Sequence, residues 1–416
     1  MYRFQGLIGI IVILGIAFLF SNNRKKINAR LVLSGLGLQC LIALLVLKID
    51  RISSFFKWVG QQVSRLEKFA KEGASFVWGD IFVRNPAGEG SAPFSTDGAF
   101  IFAFSITATL ILVCVLAAIT YHFGIMQRII SGMAKAMKIV MRVSGSESLS
   151  NIASTFVGQV EAQVMIRPYL AKMTMSELLA SMSGSLACIS GSILVVYINF
   201  GAKAEYLLTA SLMAAPAALV ISKIVWPETE LSQTMGTVKA TVSSPYKNLI
   251  DAITGGASDG MKISINIIAM LIAFIALIAM VNFLLLKIGL LMHLGFPLSL
   301  DWIFGKLFYP MSWALGVPDQ DLATVATLMG QKLTINEFIA FKNMTNPATQ
   351  LTDKGLIIVS FAICGFANFS SIGMLVGGIS QLAPERREDL ASLSLKALLC
   401  GTLASYLSAA IAGILL

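Results

Sequence analysis

Apolar runs close to bilayer length recur along the whole chain, at residues 4–20, 31–48, 99–123, 178–200, 206–225, 264–288, 356–380 and 392–416. An α-helix needs roughly 20 apolar residues to cross the hydrocarbon core. In that medium every backbone N–H and C=O must be paired, so such runs fold as helices. A further stretch, 297–316, is apolar but broken, a weaker candidate span. Composition removes the alternative of a large soluble protein. Of 416 residues 56% are hydrophobic and 13% charged, and mean hydropathy is +0.80. A soluble domain carries about 25% charged residues. The chain therefore reads as an all-α polytopic membrane protein with about eight transmembrane helices.

Charge placement orients it. The first run starts with Arg3 alone and ends in Ser21-Asn22-Asn23-Arg24-Lys25-Lys26, with no small-residue cleavage site. This is the reverse of a signal peptide. Arg24, Lys25, Lys26 and Arg30 are expected in the cytoplasm, with the N-terminus outside. Residues 124–142, read as a loop, carry Arg128, Lys135, Lys138 and Arg142 and no acid. Two spans separate the two basic stretches, so both can be cytoplasmic. The net charge of +9 is thus spread in short clusters between spans. No basic stripe interleaves with aromatics, so nucleic acid is not an expected partner. The five cysteines (Cys40, Cys114, Cys188, Cys364, Cys400) form no CxxC pair, which indicates neither a zinc site nor a disulfide framework.

Two further stretches are not spans. In residues 52–78, Ile52, Phe55, Phe56, Val59, Val63, Leu66, Phe69 and Phe76 recur every three to four residues, with Lys57, Arg65, Lys68 and Lys71 between them. That pattern predicts an amphipathic helix, lying on the membrane surface or against another subunit. Residues 226–250 are polar and read as a loop that could divide two halves.

The apolar pattern breaks twice in the same manner. Ser154-Thr155-Phe156-Val157-Gly158-Gln159-Val160-Glu161-Ala162 is too short and polar to span and predicts a re-entrant hairpin, with Pro168 beyond it. The following run is interrupted at Cys188-Ile189-Ser190-Gly191-Ser192. Leu333-Thr334-Ile335-Asn336-Glu337-Phe338 repeats the theme, followed by Pro347 and a run interrupted at Gly365-Phe366-Ala367-Asn368-Phe369-Ser370-Ser371. Paired interrupted segments in corresponding positions point to a transporter binding site. Unwound backbone is tolerated in a membrane only where it lines a cavity. A carboxylate at membrane depth costs about 2.5–3.5 kcal/mol on the lenient insertion scale, which marks Glu161 and Glu337 as functional. With Gln159 and Asn336 beside them and no Arg or Lys at either cluster centre, they suit a neutral polar solute. Phe366 beside Asn368 and Ser371 suits a ligand with a ring and hydroxyls.

At these residues the chain resembles the concentrative nucleoside transporters. The likeness is carried by Gly158-Gln159-Val160-Glu161-Ala162 with Arg167-Pro168, then Met173-Thr174 with Ser176-Glu177-Leu178. Ala215-Pro216-Ala217-Ala218, Pro227-Glu228-Thr229-Glu230, Asn336-Glu337-Phe338 and Gly365 to Ser371 continue it, in order and over about residues 4–416. The resemblance implies a homotrimer in the plasma (inner) membrane, with eight spans, two re-entrant hairpins and interfacial helices. It implies a scaffold and an inverted-repeat transport domain that moves as an elevator. On that division residues 1–145 are mainly scaffold, 146–230 the first transport repeat, 231–325 a loop and scaffold spans, and 326–416 the second repeat with the last span. Gln159, Val160 and Glu161 would face the nucleobase and Phe366 would lie beside it. Glu337, Asn368 and Ser371 would hold the ribose hydroxyls, with Asn336 a secondary candidate. A sodium site would involve Ser154, Val157, Cys188 and Ile189.

Two departures stand out. Val160 occupies a position where many members have Thr or Ser, which removes a hydroxyl near the base. Ser154 replaces an Asn, and Cys188 replaces a Ser or Thr, at the sodium site. Sodium is a hard ion that prefers oxygen to sulfur. Sodium is the first expectation for the coupling ion, and the proton, carried by Glu161 or Glu337, is its rival. No other cofactor is expected. Other function classes find little support. Gly255 and Gly260 have Walker A spacing, but Met261-Lys262 follow where Lys-Ser/Thr is required, so the segment reads as a flexible loop. His122 and His293 are the two histidines and no HExxH or GxSxG occurs, which argues against an enzyme. A channel for small polar solutes is the remaining alternative.

Overall fold

The computed structural model describes residues 2–79, 102–234 and 246–415, and all secondary structure among them is helical. Helices α1 (Tyr2–Leu19) and α2 (Ala29–Lys48) are the first two expected spans. The basic turn between them is tied down by Asn28, whose side chain accepts from the N–H groups of Arg30 and Leu31 and so caps α2. The amphipathic stretch is one continuous helix, α3 (Asp50–Trp78), exposing Phe55, Trp58, Phe69 and Phe76.

Helix α4 (Phe102–His122) leads through Gly124, at φ +71°, into α5 (Ile125–Met141), which bends away by 75°. The basic stretch read as a loop is therefore mostly helix. Ile130, Ala134, Met137 and Met141 recur at three to four residues and are buried, while Arg128 and Lys135 are exposed and Lys138 is half-buried. That periodicity is what an interfacial helix requires.

Two hairpin-and-break units follow, separated by long spans. The first unit comprises α6 (Gly145–Ser154), α7 (Glu161–Met165) and α8 (Arg167–Leu170), then a helix broken into α9 (Met175–Ala187) and α10 (Gly191–Asn199). Spans α11 (Ala204–Val225) and α12 (Leu249–Leu291) come next. The short helices α13 (Leu300–Leu307) and α14 (Tyr309–Ala314) occupy the weak candidate at 297–316, which is not a single span. The second unit is α15 (Leu322–Thr334) and α16 (Glu337–Met344), then α17 (Asp353–Ile363) and α18 (Phe369–Leu382). The chain closes with α19 (Arg387–Leu415). Among the described residues the eight expected spans are helical, two of them interrupted at the predicted breaks, and the start of the span at 99–123 and residues 235–245 of the polar stretch lie outside the described residues. The segments Ala29–Lys48, Met175–Asn199, Ala204–Val225 and Pro384–Leu415 are long and apolar enough to cross a membrane on their own composition.

Helix α12 starts about a turn and a half before Gly255, so the segment with Walker-like spacing is helix and not a flexible loop. Its glycines serve packing. A Cβ on Gly256 would lie 2.8 Å from the Cys114 carbonyl oxygen, and one on Gly260 would lie 2.6 Å from Ile111 Cα. Small residues let helix backbones approach this closely. Hence α12 pairs with α4, while α9, α11, α17 and α19 form a separate core against which α1 and α2 pack.

At the ends carrying the basic turns, polar groups are paired rather than exposed. Ser144 with Glu147 and Thr174 with Glu177 form capping boxes at the starts of α6 and α9. Buried Lys223 of α11 bridges both, 2.7 Å from Glu147 and donating to Ser176 at 2.9 Å. Arg386 donates to the carbonyls of Leu170, Ala171 and Met173, tying the second unit to the first.

Candidate binding cavity

The cavity exists because two helices stop. Helix α9 ends at Ala187, Cys188 is extended, and Ser190 restarts α10 by accepting from the Ile193 N–H. Helix α17 ends at Ile363, and Asn368 restarts α18 by accepting from the Ser371 N–H at 2.8 Å. The two breaks lean on each other through the Phe366 N–H, which donates to the Cys188 carbonyl at 3.3 Å. Gly365 sits between them at φ +134°, and a Cβ there would strike the Ala187 carbonyl oxygen. The first hairpin docks on the first break, where the Gly191 N–H donates to the Phe156 carbonyl at 3.0 Å. One backbone bond thus links the two breaks, while the Ile189 and Cys364 carbonyls accept from Ser211 and Ser405, and residues of both breaks line one space.

That space is a cavity of about 230 Å3. It collects every residue expected at the substrate site: Gln159, Val160 and Glu161 from the first hairpin, Asn336 and Glu337 from the second, and Phe366, Asn368 and Ser371 from the second break. Glu337 is 6% exposed and doubly held. One carboxylate oxygen accepts from the Tyr197 hydroxyl at 3.0 Å, the other from Asn368 Nδ2 at 2.8 Å. Tyr197 is itself fixed by stacking on Phe341, with centroids 4.4 Å apart. Asn336 is less free, because its side-chain oxygen caps α16 through the Ile339 N–H. Glu161 is exposed towards the cavity and folds over Gly158, whose φ of +133° and bare Cα leave room for the carboxylate. Gln159 Oε1 is buried without a donor among the described residues, so a ligand N–H or O–H would satisfy it. Val160 packs on α18, where a Cβ on Gly378 would lie 2.7 Å from its Cγ1.

The residues expected around the cation divide. Val157 lines the cavity, whereas Cys188 and Ile189 lie fully buried behind it. The Ile189 carbonyl accepts from Ser211 at 3.3 Å. The Ser154 hydroxyl donates to the Ser150 carbonyl at 2.8 Å and pairs with Ser185 at 3.0 Å, within a buried chain that continues through Gln163 to Ser181. The hydroxyl facing Cys188 Sγ is that of Thr155, at 3.5 Å.

Three neighbours were not among the expected site residues. Tyr197 holds Glu337, and Asn266 brings α12 into the cavity wall. Lys332 is completely buried, and its ammonium has no hydrogen-bond partner among the described residues. Each is a polar group in an apolar setting, the same signal that singled out the glutamates.

Two matching hairpins and two broken helices around one polar, uncharged-ligand cavity define a secondary transporter. Comparison with known proteins gives the family. The models described as Na+ dependent nucleoside transporter N-terminus and C-terminus match residues 8–81 and 206–413, and a nucleoside-recognition Gate model matches 103–204. The chain is 41% identical over 410 residues to the uncharacterized transporter YutK of Bacillus subtilis, covering 98% of each. It is 37% identical to the rat sodium/nucleoside cotransporter 1, covering 98% of this chain and 63% of that protein. Among solved structures, CNTnw in an inward-facing substrate-bound state superposes with TM-score 0.91 at 37% identity, covering 100% of this chain and 98% of that one. An outward-facing form of a substituted CNTnw also gives TM-score 0.91. The chain belongs to the Na+-dependent nucleoside transporter family. It is a transporter and not an enzyme, and sodium, the first of the two cations expected, is the family's coupling ion.

Proposed function

We propose that the chain imports nucleosides such as uridine across the plasma membrane, one cavity serving base and ribose together. Gln159, Val160, Glu161 and Phe366 receive the base, while Glu337, Asn368 and Ser371 receive the ribose hydroxyls. The observation that carries this reading is the Glu337 carboxylate, aligned by Tyr197 and Asn368. Each of its oxygens keeps a lone pair free, so it can accept from two vicinal hydroxyls, and charge-assisted bonds of this kind are the strong ones. Asn336 contributes mainly by capping α16.

Sodium binds behind the cavity, at the carbonyls of Val157 and Ile189, with the side chains at Ser154 and Cys188 supplying weaker ligands than oxygen-rich ones would. The separate pairing of α4 with α12 favours a scaffold that includes these two spans, against which the hairpin units slide as an elevator. Residues 146–230 and 326–416 are the two transport repeats. The assembly is a homotrimer in the lipid bilayer, a reading that rests on family likeness.

The test is uridine uptake into proteoliposomes holding purified protein, driven by a sodium gradient or a proton gradient alone. Accumulation with sodium is the expected result. Accumulation with protons alone would reassign the coupling to a glutamate, and saturation-free flux without accumulation would favour a channel.

A further inference from the structure

We propose that the nucleoside has a second, transit binding site on its way to the cytoplasm, in a cavity between the substrate site and the basic face of the protein. This inference rests on the transporter reading above. The second cavity has a volume of about 280 Å3 and shares Val157, Glu161, Ser192 and Ile263 with the first. The two cavities therefore adjoin, and the second lies next on the path of a ligand leaving the first towards the basic face. Its far wall is formed by Tyr121 in the last turn of α4, Tyr246 just before α12, and Asp259 on α12. Tyr121 leads into α5 with Arg128, Lys135 and Lys138, the charge signature of the cytoplasmic side.

The wall offers the chemistry of the first site a second time. The Tyr246 ring lies against Gly255, where a Cβ would come 2.6 Å from Cε1, so the missing side chain lets an aromatic ring close on the helix. Rings of this kind stack on bases with little sequence preference. Asp259 supplies a carboxylate for ribose hydroxyls; its ion pair with Lys262, at 3.6 Å, is exposed and leaves the carboxylate 56% accessible. Glu161 belongs to both cavities and sits on the first hairpin, whereas Tyr121 and Asp259 sit on the glycine-locked α4–α12 pair. A nucleoside whose base leaves Glu161 thus meets Tyr246 with its base and Asp259 with its ribose as the hairpin and the pair move relative to each other.

The prediction is asymmetric kinetics, measured as the uridine KM from each face in right-side-out and inside-out membrane vesicles of known orientation. Tyr246→Ala and Asp259→Asn should raise the KM on the cytoplasmic face about five- to tenfold, in line with loss of one stacking or hydroxyl contact. The external KM should stay at the original value, which also reports an intact fold, and Tyr246→Phe should behave as the original protein. Asp259→Asn preserves shape and carries the test if Tyr246→Ala does not fold. A KM unchanged on both faces, or raised equally on both, overturns the transit site while leaving the substrate site standing. Absence of uridine transport by the unsubstituted protein overturns the parent reading instead.

Discussion

Replacing Glu337 by Gln separates binding chemistry from folding more cleanly than any other change at the cavity. The substitution keeps the shape and removes one acceptor and the charge. The carboxylate accepts from Tyr197 at 3.0 Å and from Asn368 at 2.8 Å. Asn368 cannot turn its amide round to help, because its oxygen caps α18 through the Ser371 N–H. The new Gln must therefore present its oxygen to Asn368 and its NH2 to Tyr197, whose hydroxyl can rotate. Folding survives this arrangement, but one ribose hydroxyl meets a donor and the other loses a charge-assisted bond. At about 1.5 kcal/mol or more for each such bond, the loss is about 3 kcal/mol, or roughly a hundredfold in affinity. Uridine uptake at micromolar substrate should fall to background, while the elution profile and thermal midpoint of the purified protein show that it is folded. Uptake by Glu337→Gln at the original rate would refute the ribose assignment.

Other changes probe the ion site and the fold. Cys188→Ser replaces sulfur with oxygen beside the Ile189 carbonyl, and should lower the sodium concentration giving half-maximal uptake; an unchanged sodium dependence would remove position 188 from the site. Lys223→Met strands Glu147 in a buried position, at a cost of about 3–5 kcal/mol, read as a large drop in thermal midpoint. The double change Lys223→Met with Glu147→Gln should restore much of that drop, and failure to do so would show that Lys223 acts through packing. Gly365→Ala forces a side chain into a left-handed backbone and against the Ala187 carbonyl, so uptake should be lost together with at least about 1–3 kcal/mol of stability; a normal thermal midpoint would mean that the two breaks are not in register as described.

The parts of this protein legible in its sequence are those governed by local rules. Bilayer-length apolar runs fixed the eight spans, since hydrocarbon leaves a backbone few alternatives to the helix. Glu161 and Glu337 were legible because ionisable groups at membrane depth are costly and so are kept for a purpose. The helical nature of residues 125–141 was also encoded, in the spacing of Ile130, Ala134, Met137 and Met141, but the charges between them obscured it. The segment with Gly255 and Gly260 reads as a flexible loop because glycine spacing is silent about which neighbour comes close, and for Gly256 and Gly260 α4 supplies that neighbour. Only the tertiary structure decided that Tyr197 would reach across 140 residues of sequence to hold Glu337, that Ser154 would place its hydroxyl between Ser150 and Ser185, and that the Phe366 N–H of one helix break would meet the Cys188 carbonyl of the other. These are pairings between distant segments. A sequence states which groups need a partner, but the partner is chosen by the way the helices pack.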